Sequence, residues 1–281
     1  MGLLRTIDAQ IVFVFDEFDQ LGDQRVAQAF AEVIKALSDH DVASKIVLVG
    51  VGDNIDHLIA SHASIARALV QIRMPRMVAD ELAVIISTGA KRLGMEWEPA
   101  AATRVVKLSQ GLPHYVHRLA LFATREALSN ESLSVTMDDV KTSMKEAIET
   151  ATQTLTDAYL KATSSQRSPS LFGPVLLACA LSRTDDLGYF RPFSIRRPLK
   201  LLGHDLDVPT FASHLNKFAS EDRGNILQKI GTERQYRYRF RDPLMQPYVI
   251  MRGISDGACS MAVVDQGLIA PGEGEEDEDE E

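Results

Sequence analysis

The stretch from Ile11 to Asp19, IVFVFDEFD, constrains the fold of this chain more than any other. Its five leading apolar residues are rich in β-branched and aromatic side chains, which predicts a strand buried on both faces. Asp16 and Glu17 follow at the C-terminal end of the strand, which is where ligands bind in open α/β sheets. Paired carboxylates there suit a hard cation such as Mg²⁺. The alternative is a buried strand followed by a solvated acidic turn.

A helix and a second strand are predicted after this stretch. Asp23 is placed to cap a helix from about Gln24 to Ser38, whose apolar side chains recur at helical spacing. Lys45 to Gly50, KIVLVG, reads as another buried strand. A β-α-β unit of this length predicts two parallel strands with a right-handed crossover.

Charge is distributed unevenly along the 281 residues. Residues 1–164 carry 16 basic and 21 acidic side chains, residues 165–254 carry 14 and 8, and residues 255–281 carry 0 and 10, giving −5, +6 and −10. This segregation predicts two folded parts followed by a disordered acidic tail from residue 255.

The composition favours a globular protein of the cytoplasm without a membrane partner. Apolar residues make up 45% of the chain, yet no run reaches the roughly 18 apolar residues that a membrane span needs. The two cysteines, Cys179 and Cys259, match no metal or redox spacing, and Cys179 is predicted to lie in the core.

The remainder of the chain is predicted to be mostly helical. Four helices follow Ala79, with Pro99 and Pro113 at helix starts and Thr136 with Asp139 as a capping pair. From Leu171 the pattern is helix, short helix, amphipathic helix and hairpin, the last marked by the alternating segment YRYRF. Phe211, Leu215 and Phe218 are expected on the core face of the amphipathic helix.

The order of these motifs resembles P-loop ATPases of the AAA+ and STAND classes, in particular initiator-like and archaeal-type members with a C-terminal winged helix. The resemblance implies a partial α/β core at residues 1–78, a helical lid at 79–164 and a winged helix at 165–254. The IVFVFDE stretch resembles the Walker B element, so the resemblance implies that Asp16 holds Mg²⁺ and Glu17 activates water for ATP hydrolysis.

The resemblance also implies roles for residues after the second strand. Asn54, or as second choice Asp53, corresponds to sensor 1, and the alternative is that Gly-Asp-Asn is a turn. Arg67, before a predicted short strand at Val70 to Met74, corresponds to an arginine that acts across a homo-oligomer interface, or else is a surface residue. Ser109 to Pro113, SQGLP, resembles the motif that begins the sensor 2 helix.

The sensor 2 helix departs from the family pattern. Initiator-type relatives have an arginine three positions after the glycine, whereas this chain has His114 there and Arg118 one turn later. GLP is alternatively a helix-start turn with no nucleotide role.

The sequence contains no GxxxxGK[ST] phosphate-binding loop. We therefore expect an N-terminally truncated form of a longer ATPase that binds ATP weakly or not at all as it stands. A degenerate family member is the alternative.

The predicted winged helix carries the candidate contacts to double-stranded DNA. They are His214 and Lys217 on the amphipathic helix and Arg234, Arg237, Arg239 and Arg241 on the hairpin. Winged helices also dock proteins, and alternating arginines also form ordinary solvated faces. Three interpretations follow: an ATPase module coupled to a winged helix, a DNA- or protein-binding protein with a degenerate ATPase scaffold, and an inactive fragment.

Overall fold

The computed structural model describes residues 10–18, 21, 23–40, 43–50, 69–165, 170–232 and 235–267. The chain divides into two compact units, Met1–Met74 and Pro75–Glu281. Both predicted types of element are present: the protein is mostly helical and has small sheets, two of them parallel.

The first unit contains the predicted β-α-β arrangement. Strand β1 is Ile11–Phe15, helix α1 is Gln24–Asp39 and strand β2 is Ser44–Leu48. The strands pair in parallel with Phe13 opposite Ile46, which confirms the predicted direction. Asp23 caps α1 as predicted, because its side chain accepts a hydrogen bond from the Arg25 amide.

Helix α1 covers one face of this sheet. Ala31 and Ile34 of α1 form a small core with partly buried residues that include Ile46 and Leu48. The other face is open: Val12 and Val14 are 56% and 63% exposed. The prediction of a strand buried on both faces is therefore wrong for the described residues, because one helix can cover only one side of two strands.

The predicted short strand at Val70 to Met74 is also wrong. This segment has no regular secondary structure, and Val70 is 88% exposed. An apolar β-rich sequence needs a neighbouring strand to supply its backbone partners.

The second unit begins with the four predicted helices. They are α2 (Ala79–Leu93), α3 (Pro99–Ser109), α4 (Pro113–Ser129) and α5 (Met137–Glu149), with the short parallel strands β3 (Glu96–Trp97) and β4 (Ser134–Val135) between them. Pro99 and Pro113 lie in the first turns of their helices, and Thr136 and Asp139 form the predicted reciprocal cap.

The remaining elements follow the predicted order of helices and hairpin. They are α6 (Gln153–Thr163), α7 (Phe172–Ala180), α8 (Arg196–Leu201), α9 (Val208–Phe218), the antiparallel strands β5 (Leu227–Ile230) and β6 (Arg237–Phe240), α10 (Met245–Ser255) and α11 (Met261–Gly267). Phe211, Leu215 and Phe218 of α9 are fully buried, and so is Cys179, as predicted. A single bridge from Phe190 to Tyr238 extends the hairpin.

One hydrophobic core runs through the second unit. It includes Leu82 of α2, Leu215 of α9 and Val264 of α11. Helix α10 connects the parts, since it packs against α3, α5, α6 and α7. The helices before and after residue 164 therefore share one core.

Helix α11 differs from the predicted disordered tail. Val264 is fully buried, and Asp265 forms ion pairs with Arg104 and Lys107 of α3. Residues 255–267 are thus part of the folded unit, although their sequence carries acids and no bases. Among the helices described, none combines the length and the apolar character required to cross a membrane.

Candidate functional site

The acidic pair lies at the C-terminal edge of the two-stranded sheet. Both Asp16 and Glu17 are exposed. The Glu17 amide donates to Asp16 Oδ1 over 2.8 Å, which orients that carboxylate. The chain then rejoins β2, because the Phe18 amide donates to the Val49 carbonyl at 2.9 Å. This places both carboxylates at the edge where the parallel strands end.

Glu17 adopts an uncommon backbone conformation. Its φ is +54°, in the left-handed region that costs a non-glycine residue about 1 kcal/mol or more. Phe18, directly after it, is anchored by an edge-to-face contact with Phe30 at 5.1 Å between ring centroids. The packing of Phe18 therefore holds the turn that presents the Glu17 carboxylate to solvent.

This edge fits a hydrated divalent cation better than it fits a phosphate. Mg²⁺ prefers carboxylate oxygens and keeps several of its waters, and Asp16 retains Oδ2 for such a contact. No group of three or more acidic, histidine or cysteine side chains that could enclose a metal occurs in the described parts of the chain. Asp53, Asn54 and Arg67 lie outside the described residues.

Arg118, one of the two predicted sensor 2 residues, makes hydrogen bonds within the protein. Its guanidinium donates to the carbonyl of Thr150 and, at 2.7 Å, to Thr150 Oγ1. Thr150 is the C-terminal cap of α5, so Arg118 satisfies the carbonyl end of that helix.

His114, the other candidate, is exposed and partnered by no hydrogen bond among the described residues. Partial burial, followed by the nearby charges of Arg118 and His117, lowers its pKa below the ordinary value of 6.5. The His114 imidazole is therefore neutral near pH 7, and it would supply a hydrogen bond to a ligand but little positive charge.

The glycine of the SQGLP turn serves a close packing contact. Gly111 has a φ of +79°, and a Cβ atom there would lie 2.6 Å from Cβ of Arg76. The Met77 amide also donates to the Gly111 carbonyl at 3.0 Å. This geometry supports the alternative interpretation of GLP as a turn that is required by the fold.

Arg76 is a central residue that the sequence analysis did not select. Its Nη1 donates to the Gln110 carbonyl at 3.0 Å and to Gln246 Oε1 at 2.6 Å. Gln246, which is almost completely buried, donates in turn to the carbonyl of Ala180 at 2.9 Å. Burial lowers the pKa of Arg76, and Asp185 opposes that effect.

Arg76 thereby joins three segments of the second unit. They are the turn between α3 and α4, the start of α10, and the loop that holds Asp185 and Gly188. A Cβ atom on Gly188 would lie 2.8 Å from Nη2 of Arg76. Glycines at 111 and 188 are the sequence signal that could have revealed a close approach, but neither one identifies the partner.

The two predicted DNA-contacting residues of α9 differ in their exposure, and both lie near the Phe172 ring. Lys217 is exposed, with its Nζ 5.7 Å from the centroid of the Phe172 ring. His214 packs edge to face against the same ring at 4.8 Å. Burial and then the charges of Lys217 and Arg223 lower the pKa of His214, so His214 is neutral near pH 7.

The hairpin arginines divide into exposed and buried members. Arg237 is exposed and forms an ion pair with Asp185 at 3.5 Å, and Arg241 is exposed with its Nε donating to the Asn225 carbonyl. Arg239 is only 9% exposed; its Nε donates to Gln228 at 2.9 Å and its guanidinium lies over the Tyr189 ring. The prediction that Arg239 is exposed and available to contact DNA is therefore wrong. Arg234 lies outside the described residues.

Comparison with known proteins gives likenesses of structure only. No protein-family model and no curated protein matches the chain. One similar solved structure is Cdc6p from Pyrobaculum aerophilum, with 15% identity over 92% of this chain and 69% of that chain and a TM-score of 0.44. A second is the ORC2 protein of Aeropyrum pernix, with 13% identity over 95% of this chain and 68% of that chain and a TM-score of 0.45. A third is the RuvB Holliday junction branch migration motor of Thermotoga maritima, with 15% identity over 86% of this chain and 71% of that chain and a TM-score of 0.44. These low values establish neither a shared fold nor a shared function.

Proposed function

We propose that the first unit carries the acidic half of an ATPase site of the AAA+ class. The observation that supports this most strongly is the exposed Asp16–Glu17 pair at the edge where two parallel strands end. In this proposal Asp16 holds Mg²⁺ through water and Glu17, held in its strained turn, polarises the attacking water. Mg²⁺ neutralises charge on the phosphates when it is bound.

The remaining roles are assigned by the order of the motifs. Asn54, with Asp53 as second choice, senses the γ-phosphate, and Arg67 acts across a subunit interface. The α4 helix with His114 and Arg118 reports the nucleotide state to the helical lid, residues 79–164. Because helices on both sides of residue 164 share one core, the second unit responds as one body.

The proposal requires a phosphate-binding loop that the sequence lacks. Without backbone amides and a lysine to hold the phosphates, we expect the 281 residues alone to give no melting shift with Mg²⁺ and ATP. The open face of the sheet, with Val12 and Val14 exposed, is compatible with further polypeptide packing there.

The test uses any in-frame upstream extension that encodes GxxxxGK[ST]. In that longer protein we expect Glu17→Gln to retain ATP and to lower hydrolysis about 100-fold or more, because the water loses its base. Asp16→Asn should weaken Mg²⁺ binding, so that hydrolysis requires a higher Mg²⁺ concentration. The control is Asp23→Asn, since Asp23 lies six residues after Glu17 along the chain and caps α1.

Two results would contradict the ATPase proposal. One is equal turnover by the Glu17→Gln protein. The other is a reading frame without such a motif, together with no nucleotide-dependent melting shift. In that case the second candidate, a binding protein on a degenerate scaffold, would stand.

We further infer that α7 to β6 form a winged helix that contacts double-stranded DNA. The support is the order of three helices and an antiparallel hairpin, and the net charge of +6 over residues 165–254. Lys217, Arg237 and Arg241 are the exposed candidates, and each can neutralise one phosphate. Docking of an acidic protein is the alternative.

Duplex binding and its salt dependence test the winged-helix proposal. Lys217→Gln should weaken binding uniformly across sequences and reduce the slope of log K against log salt by about 0.9. Arg239→Gln should instead lower thermal stability, because its guanidinium is packed on Tyr189 and bonded to Gln228. Unchanged duplex binding by a protein with Lys217, Arg237 and Arg241 all replaced would exclude this surface.

A further inference from the structure

A short segment of the second unit combines clustered, exposed positive charge with an exposed aromatic ring. Residues 187–204 contain four cationic side chains, Arg191, Arg196, Arg197 and Lys200, and no acid. All four are exposed. Of these, Arg196 alone has a described ion pair, with Asp207 at 3.3 Å. We call Arg191, Phe193, Arg196, Arg197 and Lys200 the basic ridge.

Phe193 gives the basic ridge an uncommon character. It is 55% exposed, whereas the other phenylalanines described in the second unit are buried. The Arg196 guanidinium lies 5.5 Å from the centroid of the Phe193 ring. A cation stacked on an exposed ring offers both a charge and a flat apolar face to a ligand.

The fold makes this ridge a rigid surface. Ile195 and Leu199, which alternate with the cations, are fully buried in the main core. Pro192 and Pro198 further restrict the backbone. The exposed side chains therefore project from a segment that is anchored on its other side.

We propose that the basic ridge binds single-stranded nucleic acid, with Arg191, Arg197 and Lys200 on phosphates and an unpaired base stacked on Phe193. Proteins that hold single strands without sequence preference combine these two elements, a cationic track and an aromatic platform. A duplex keeps its bases stacked on each other and offers no free base face to Phe193. The residues of the ridge are not those of the duplex proposal, which are Lys217, Arg237 and Arg241, and the proposal does not depend on ATPase activity.

The experiment measures binding of the full chain to a fluorescent oligothymidylate and to a duplex of equal length at several salt concentrations. A triple variant, Arg191→Gln, Arg197→Gln and Lys200→Gln, should weaken single-strand binding about tenfold or more and reduce the salt slope by about 2, at roughly 0.7 per phosphate. The matched control is Arg92→Gln, Arg125→Gln and Lys145→Gln, which removes three exposed cations from other helices and should change binding little.

Replacing the ring tests the stacking contact separately. Phe193→Ala should weaken single-strand binding roughly 5- to 150-fold, the range for one stacked base, and Phe193→Trp should restore binding. Because Phe193 is exposed, the melting temperature should stay unchanged, which excludes misfolding as the cause.

Several outcomes would overturn the proposal. One is a control triple variant that loses as much single-strand binding as the ridge triple variant. Another is unchanged single-strand binding by the Phe193→Ala protein. The third is a wild-type protein that binds the duplex as tightly as the single strand and loses both affinities equally in the ridge variants. Polyglutamate that binds as tightly as oligothymidylate would assign the ridge to an acidic protein instead.

Discussion

Replacement of Arg76 by alanine should destabilise the second unit by about 3 kcal/mol. The change removes a buried guanidinium and leaves the Gln110 carbonyl and Gln246 Oε1 without their donor, and hydrogen bonds to charged groups contribute about 1.5–3 kcal/mol each. It also opens space between Gly111 and Gly188, both of which lie against the side chain. Urea unfolding followed by circular dichroism would measure the loss.

An exposed arginine of the same unit and a double-mutant cycle make this prediction specific. Arg92→Ala, at an exposed position on α2, should change stability by less than about 0.5 kcal/mol. Gln246→Ala should cost less in the Arg76→Ala background than alone, with a coupling of about 1–2 kcal/mol for contacting residues. Additive effects would show that Arg76 and Gln246 do not act together.

Val264→Asp should release helix α11 from the second unit. Val264 is fully buried, and an unpaired carboxylate at such a site costs several kcal/mol, roughly 3–5. Because α11 has only seven residues, the chain can avoid this cost by local unfolding. We therefore expect amide exchange to accelerate across residues 261–267 while the buried helix α10 keeps its protection.

The position two residues before Val264 supplies the control. Ala262→Asp places the same charge on the exposed side of the same helix and should leave exchange nearly unchanged. Asp265→Asn should give an intermediate effect, since it weakens the ion pairs to Arg104 and Lys107. Equal exchange in the Val264→Asp and wild-type proteins would mean that α11 does not contribute to the folded unit.

Local signals in the sequence predicted most elements of the second unit. The caps at Thr136 and Asp139, the prolines at helix starts and the stripe of Phe211, Leu215 and Phe218 all act within one helix or one turn. Such short-range preferences can be read from residue spacing. The parallel pairing of β1 and β2 was predictable because a helix of ordinary length connects them.

The errors lie where residues far apart in sequence decide the outcome. The segment YRYRF alternates as an exposed β-ribbon would. Arg239 is nevertheless buried, because its guanidinium packs on the Tyr189 ring and its Nε donates to Gln228. The acidic stretch after residue 255 predicts a disordered tail. In the structure Val264 packs in the main core, and Asp265 forms ion pairs with Arg104 and Lys107 of α3. Strand β1 shows the opposite error. Its apolar sequence predicts burial on both faces, but no described residue packs over the face that carries Val12 and Val14.

The sequence by itself determined the order of helices and strands, the place of Asp16 and Glu17 after a strand, and the segregation of charge. Only the tertiary structure decided that Arg118 caps α5, that Gly111 makes room for Arg76, and that Phe193 stands exposed among cations. The physical reason is that helix and strand patterns depend on neighbours a few residues apart. The burial of a charge or the exposure of a ring depends on partners up to 170 residues away, as Arg76 and Gln246 are.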